Sequence, residues 1–153
     1  MSNCPVTLVN GGPTVVIETR PTTVLVQQIP GVGPPGPAAS DMTVTALTAL
    51  GGHRVVTPTA GGWVHADPGT PAHAHGAVAV TTGAISAGQT GAVRQSGEIV
   101  EPSWSWTPGL PVFCGANGVP TQSPPSSGWV RVIGVATSAT ALVVAPESPI
   151  TLI

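Results

Sequence analysis

Residues 91–152 read GAVRQSGEIVEPSWSWTPGLPVFCGANGVPTQSPPSSGWVRVIGVATSATALVVAPESPITL, and this stretch decides the fold. Gly91–Gln95, Leu110–Cys114, Val119–Gln122, Trp129–Ala136 and Ala141–Ala145 are short runs rich in Val and other strand formers. Each is closed by a turn signal, and they recur at intervals of about ten residues. Asn117-Gly118 sits between two of them and is a strong hairpin signal, because both residues tolerate the left-handed backbone of a tight turn. Thr137–Thr140 separates the last two. This spacing predicts an antiparallel β-sandwich or small β-barrel.

Working upstream, Arg54–Thr57 and Trp63–Ala66 flank Thr59-Ala60-Gly61-Gly62 and read as a further hairpin. Ala77–Thr81 alternates like a strand. The all-β head is therefore expected over residues 53–153. Residues 40–52 read as a short connector or helix. Ser40 or Asp41 could cap a helix over Ser40–Leu50 and Gly51-Gly52 would end it. Val44 and three threonines weigh against the helix, and a strand or a short stalk coil is nearly as well supported.

Residues 1–39 have another character. Val6–Val9, Thr14–Thr19 and Thr22–Ile29 are short extended runs split by Asn10-Gly11-Gly12-Pro13 and Pro21. Pro30–Ala39 follows as a neck with two Gly-X-Y triplets, Gly33-Pro34-Pro35 and Gly36-Pro37-Ala38. Two triplets are too few for a collagen triple helix but suit a short polyproline spacer. The segment is expected to anchor the chain by completing a sheet on a partner, since isolated hairpins are marginal in water.

Composition narrows the function. The chain has 153 residues, with 20 Gly and 18 Pro, a density that blocks long helices. Charge is sparse: six acidic residues, four Arg and no Lys. Four scattered arginines cannot form the basic stripe that replaces counterions, so nucleic-acid binding is not expected. Apolar strand surface with little charge predicts burial in an oligomer or on a larger particle. Cys4 and Cys114 form no CxxC and read as free thiols of a protein assembled in a reducing cell. Nothing resembles a signal peptide or membrane-spanning run.

Several pieces in order carry a resemblance. They are the Thr22–Pro37 segment, the hairpin from Arg54-Val55-Val56 to Trp63-Val64-His65-Ala66-Asp67, and the run from Gly97 to Pro149. That run holds Trp104-Ser105-Trp106-Thr107-Pro108-Gly109, Leu110-Pro111-Val112-Phe113, Asn117-Gly118, Thr121-Gln122-Ser123-Pro124-Pro125, Ile133-Gly134-Val135-Ala136 and Ser148-Pro149-Ile150. Over nearly its whole length the chain resembles small virion proteins of tailed bacteriophages, the fibre and capsid decoration proteins. The neck here is shorter than in collagen-bearing fibres. The resemblance implies a non-enzymatic structural component of the virion, assembled in the host bacterial cytoplasm. It would be a homotrimer attached through its N-terminus with the β head exposed. Its partners would be copies of itself and capsid or tail proteins. The alternatives are a cement protein clamping capsid subunits, or a carbohydrate-binding module that recognises a host cell-surface glycan.

Few residues suggest chemistry. His73-Ala74-His75 is the one candidate metal pair, because i and i+2 share a strand face and three copies would offer six imidazole nitrogens. Similar phage spikes hold an axial metal on such a pair. Pro71 and Gly76 give these histidines a loop context, so no metal and no cofactor are expected. His65 and Asp67 read as a solvated hairpin end. Trp104 and Trp106 are either core aromatics stacked near Pro108 and Pro111 or a platform for a pyranose ring; packing is the expected role. Glu98 and Glu101 are the nearest acidic pair and read as exposed loop charge rather than a glycosidase pair. There is no G-x-S-x-G elbow and no phosphate loop. An enzyme is not expected.

Overall fold

The computed structural model describes residues 40–153, together with the backbone of three strands before them. Those strands are β1 (Val6–Leu8), β2 (Val15–Arg20) and β3 (Thr23–Gln27), an antiparallel meander in the order β1-β2-β3. The proline-glycine neck lies outside the described residues. The chain divides into two compact units, residues 1–38 and 39–153.

The second unit is built from β4 (Ser40–Thr45), β5 (Val55–Thr59), β6 (Gly62–His65), β7 (Ala79–Thr81), β8 (Thr90–Val100), β9 (Pro111–Cys114), β10 (Pro120–Thr121), β11 (Trp129–Val130), β12 (Val132–Ser138), β13 (Ala141–Val144) and β14 (Ile150–Thr151). Among the described residues there is no α-helix, only 3-10 turns at Pro71–His73 and Ala116–Gly118. Nine of the strands form one curled antiparallel sheet in the order β10-β9-β12-β13-β8-β7-β5-β6, with β4 paired to β8 off this path. β11 and β14 form a separate ribbon. The all-β class is as the spacing of the runs predicts, and the sheet curls into a half-barrel.

The segment expected as a helix or connector is a correction. Ser40–Thr45 is a strand, paired to β8 from Ser40↔Ser96 to Thr45↔Thr90. Its Thr and Val side chains prefer the pleated surface, and Asp41 binds Arg94 instead of capping a helix. The unit therefore begins thirteen or so residues before the expected boundary at His53, because without β4 the stretch 90–96 of β8 would be left unpaired along one edge. β4 also reaches β6: Ala46 bridges Trp63, and the Leu47 N–H donates to the Trp63 carbonyl at 2.9 Å. The strands β4-β8-β7-β5-β6 thus form a ring.

Two cores lie on opposite sides of β5 and β7. The first holds Val55, Val80, Ile99, Val112, Trp129, Ile133, Leu142 and Val144. The second fills the ring with Val44, Leu50, Val56, Ala79, Ile85 and Val93, with Trp63 packed against it. Successive strand residues face opposite ways, so Val55 beside Val56 and Ala79 beside Val80 serve one core each. All four are completely buried.

Tight contact between β12 and β13 depends on Gly134. A Cβ there would run into the Val143 carbonyl oxygen and crowd Leu142. Gly134→Ala should therefore destabilise the domain by about 3 kcal/mol, the upper range for overpacking. Chemical denaturation checks this, and an unchanged midpoint would show that the two strands can separate without loss.

Candidate functional site

A polar groove of about 320 Å3 is walled by His53, Arg54, Glu101, Ser103, Trp104 and Val119. One wall is the loop Gly51–Arg54 between β4 and β5. The other follows the end of β8.

The loop is fastened by side chains from neighbouring strands. The buried Thr81 hydroxyl donates to the Gly51 carbonyl at 2.7 Å and accepts from the Arg54 N–H at 2.9 Å. The His53 N–H donates to the Thr81 carbonyl at 3.0 Å. The Gly51 N–H donates to His65 Nε2 at 3.0 Å. Held this way, His53 adopts a left-handed backbone with φ of 55°, unusual for a residue with a side chain.

That conformation places the imidazole against Glu101. His53 Nδ1 lies 2.9 Å from Glu101 Oε2, and its ring meets Trp104 edge to face at 5.7 Å. Glu101 also accepts from the Ser103 N–H at 3.0 Å. The hydrogen bonds from Ser103, helped by the charge of His53, hold the Glu101 carboxyl below its ordinary value, so it is ionised near neutrality. Trp104 tilts against Trp106 with ring centres 5.4 Å apart. The groove thus combines an indole, a fixed carboxylate, a guanidinium and an oriented imidazole.

The residues singled out in the sequence fall in different places. Trp104 and Trp106 are both half-buried and pack on the first core, and Trp104 also lines the groove. The fully buried indole is Trp129, whose Nε1–H donates to the Thr70 carbonyl at 3.1 Å; its flanking Gly128 and Val130 offered no signal to separate it from the other tryptophans. Glu98 is exposed and accepts from the Thr137 hydroxyl at 3.3 Å, well apart in role from Glu101. Glu101 is more than loop charge, which is a correction to its expected role. His53 and Arg54 carried no recognisable motif, because the loop conformation that presents them depends on Thr81 and His65, remote in sequence.

His73 and His75 are not on a strand. His73 ends the 3-10 turn Pro71–His73, and its Nδ1 accepts from the Asp67 N–H at 3.1 Å. His75 is exposed beside a second cavity of about 360 Å3 next to Trp129 and Leu152. The shared strand face on which the metal reading rested is not formed. Among the described residues no cluster of three or more His, Cys, Asp or Glu side chains is placed to hold a metal. His65 and Asp67 are structural rather than solvated. Asp67 accepts from the Gly69 N–H at 2.8 Å and the Asn117 N–H at 2.9 Å, tying two turns together. Cys114 is a free, buried thiol that burial pushes up to about 12, so it is inert; Cys4 lies outside the described residues.

Two measurements follow from this geometry. Trp106 Nε1 is buried without a hydrogen-bond partner. Trp106→Phe keeps the ring contacts and removes the unpaired donor, so stability should hold or rise. Trp106→Ala should cost about 3 kcal/mol, the low end for a tryptophan because the ring is half exposed. Equal losses in the two variants would show that the indole N–H is satisfied.

His65 gives a pH dependence. Burial, then the charge of Arg54, holds its pKa below the ordinary 6.5. The unfolded chain therefore takes up the proton first, and unfolding is favoured as protons are added. The contribution is complete above pH 6.5 and is lost as pH falls from there toward the folded value. The loss of stability between about pH 8 and about pH 5 should shrink in His65→Gln. Equal pH slopes for the two proteins, from urea titrations, would remove His65 as the cause.

No protein-family model matches the chain, and no curated protein and no solved structure matches it.

Proposed function

We propose that the chain is a structural component of a tailed-phage virion, an oligomeric fibre or decoration protein attached through its N-terminal strands. The observation that carries this reading is the division at residue 38. A three-stranded unit of 38 residues precedes the β unit of residues 39–153, with the proline-glycine stretch at the junction. Units below about 40 residues without disulfides or metals usually need a partner surface for stability. An anchor that completes itself on a particle or on sister copies meets that need.

The outer face of the second unit supports assembly. Val143 lies between Glu98 on β8 and Val135 on β12, and Val135 lies beside Pro111 on β9. Val135 is 43 % exposed and Val100, one step along the same face, 58 %. With ten charged residues in the whole chain, few charges oppose association across such a face. A homotrimer is the assembly proposed. The cement alternative uses the same anchor against neighbouring capsid subunits.

Light scattering on the full chain should give three times the monomer mass of 15.1 kDa. Removal of residues 1–39 should leave a β head that no longer joins particles. A stable monomer at high concentration would overturn the oligomer, and normal incorporation of the shortened chain would overturn the anchor.

A further inference from the structure

The geometry points to the groove at His53, Arg54, Glu101 and Trp104 as a binding site for an uncharged pyranose sugar. The inference rests on the groove alone and not on the virion reading. Three properties of the site converge. Trp104 lines the wall and stays half-buried, and an indole gives the apolar CH face of a sugar ring a surface to stack on. Glu101 is held rigidly, with one oxygen on the Ser103 N–H and the other on His53. A carboxylate has about four acceptor positions, so both oxygens keep lone pairs for sugar hydroxyls. Arg54 adds guanidinium donors on the other wall.

His53 completes the set. Its Nδ1 is taken up by Glu101, which leaves Nε2 as the ring's remaining polar atom for a sugar hydroxyl. The left-handed backbone of His53 stores strain that the Thr81 and His65 hydrogen bonds sustain. Strain of this kind persists where surrounding structure over-determines it, and here it puts the imidazole at the groove.

Charge selects the ligand class. The groove carries one carboxylate and one guanidinium, so its formal charges balance and it favours neither an acidic nor a cationic sugar. Polar groups in both senses around an aromatic wall suit neutral hydroxyls. A volume of about 320 Å3 is at the small end for ligand sites and fits one or two sugar rings. Two other cavities among the described residues lack this set. The one beside Trp129 offers an indole only 1 % exposed. The one beside Asp67 has no aromatic wall.

The test is a two-dimensional amide and indole NMR titration of the full chain. The probes are the methyl glycosides of glucose, galactose, mannose, N-acetylglucosamine and rhamnose. At least one should give saturable shifts confined to Gly52–Arg54, Glu101–Trp104 and the Trp104 indole. Affinity should fall roughly tenfold or more in Trp104→Ala and in Glu101→Gln, and stay unchanged in Leu47→Ala, an exposed residue away from the groove. Should Trp104→Ala fail to fold, Glu101→Gln and Arg54→Met carry the test. No saturable shift with any of the five, shifts centred elsewhere, or binding that survives the groove substitutions would overturn the site. Oligomer mass and particle incorporation of Glu101→Gln separate this outcome from the virion reading, since neither should change with the groove.

Discussion

One extra residue in β8 sets the architecture. Ser40 lies opposite Ser96 and Asp41 opposite Arg94, so Gln95 has no partner on β4. Val93 and Ile99 are six residues apart, and in a regular strand they would share a face. The bulge reverses the alternation between them, so Val93 enters the second core and Ile99 the first. One long strand thereby walls both cores, and β5 and β7 are enclosed between them. A slip of one residue here would turn Val93 and Ile99 each to the wrong side. Arg94 secures the place. It makes two hydrogen bonds to Asp41, at 2.6 and 2.8 Å, and a third to the Glu98 carbonyl on the far side of the bulge. The pair is largely exposed, so its energy is at most about 1 kcal/mol. Its role is to fix register more than to add stability.

The same economy explains how a chain with so few charges builds a polar groove. Loops are tied to the sheet by single side chains that bond backbone groups: Thr81 and His65 to Gly51–Arg54, Asp67 to two turns, Gln122 to both backbone groups of Thr107. Buried backbone groups need partners, and these side chains supply them where the strand ladder stops. The groove follows from these ties. His53 meets Glu101, and Arg54 lines the same groove, because Thr81 and His65 hold the loop in place.

Much of the fold was legible and most of the site was not. The strands of the second unit were visible as Val-rich runs between turn signals, although Val78-Ala79-Val80, read as an alternating strand, is buried on both faces. Asn117 and Gly118 take the left-handed backbone that their types announce, with φ of 52° and 69°. β4 was misread because six residues with a cap-like start carry as much helix as strand signal, and only the pairing with β8 decides between them. The half-length reading of β8 as Gly91–Gln95 has a related cause: the bulge at Gln95 breaks the alternation that marks a strand, so the pattern ends where the strand does not. The aromatic pair was visible as a pair, but its partner His53 lies about fifty residues away in sequence, at a loop whose shape no local pattern encodes.

The placement of edges bears on how the proposed assembly would form. Open strand edges are the usual route to uncontrolled association. At one end of the sheet, β6 is covered by its bridge to β4. At the other, β10 has two residues and begins with Pro120, which has no N–H to offer an incoming strand. Both ends of the large sheet are therefore poor templates for edge pairing. The apolar side chains that reach solvent, Val100 and Val135 among them, project from strand faces instead. In the proposed oligomer, contacts of this unit would fall on faces, where side-chain fit rather than strand pairing would select the partner. Edge addition, which has no natural stopping point, is disfavoured at the two ends of this sheet.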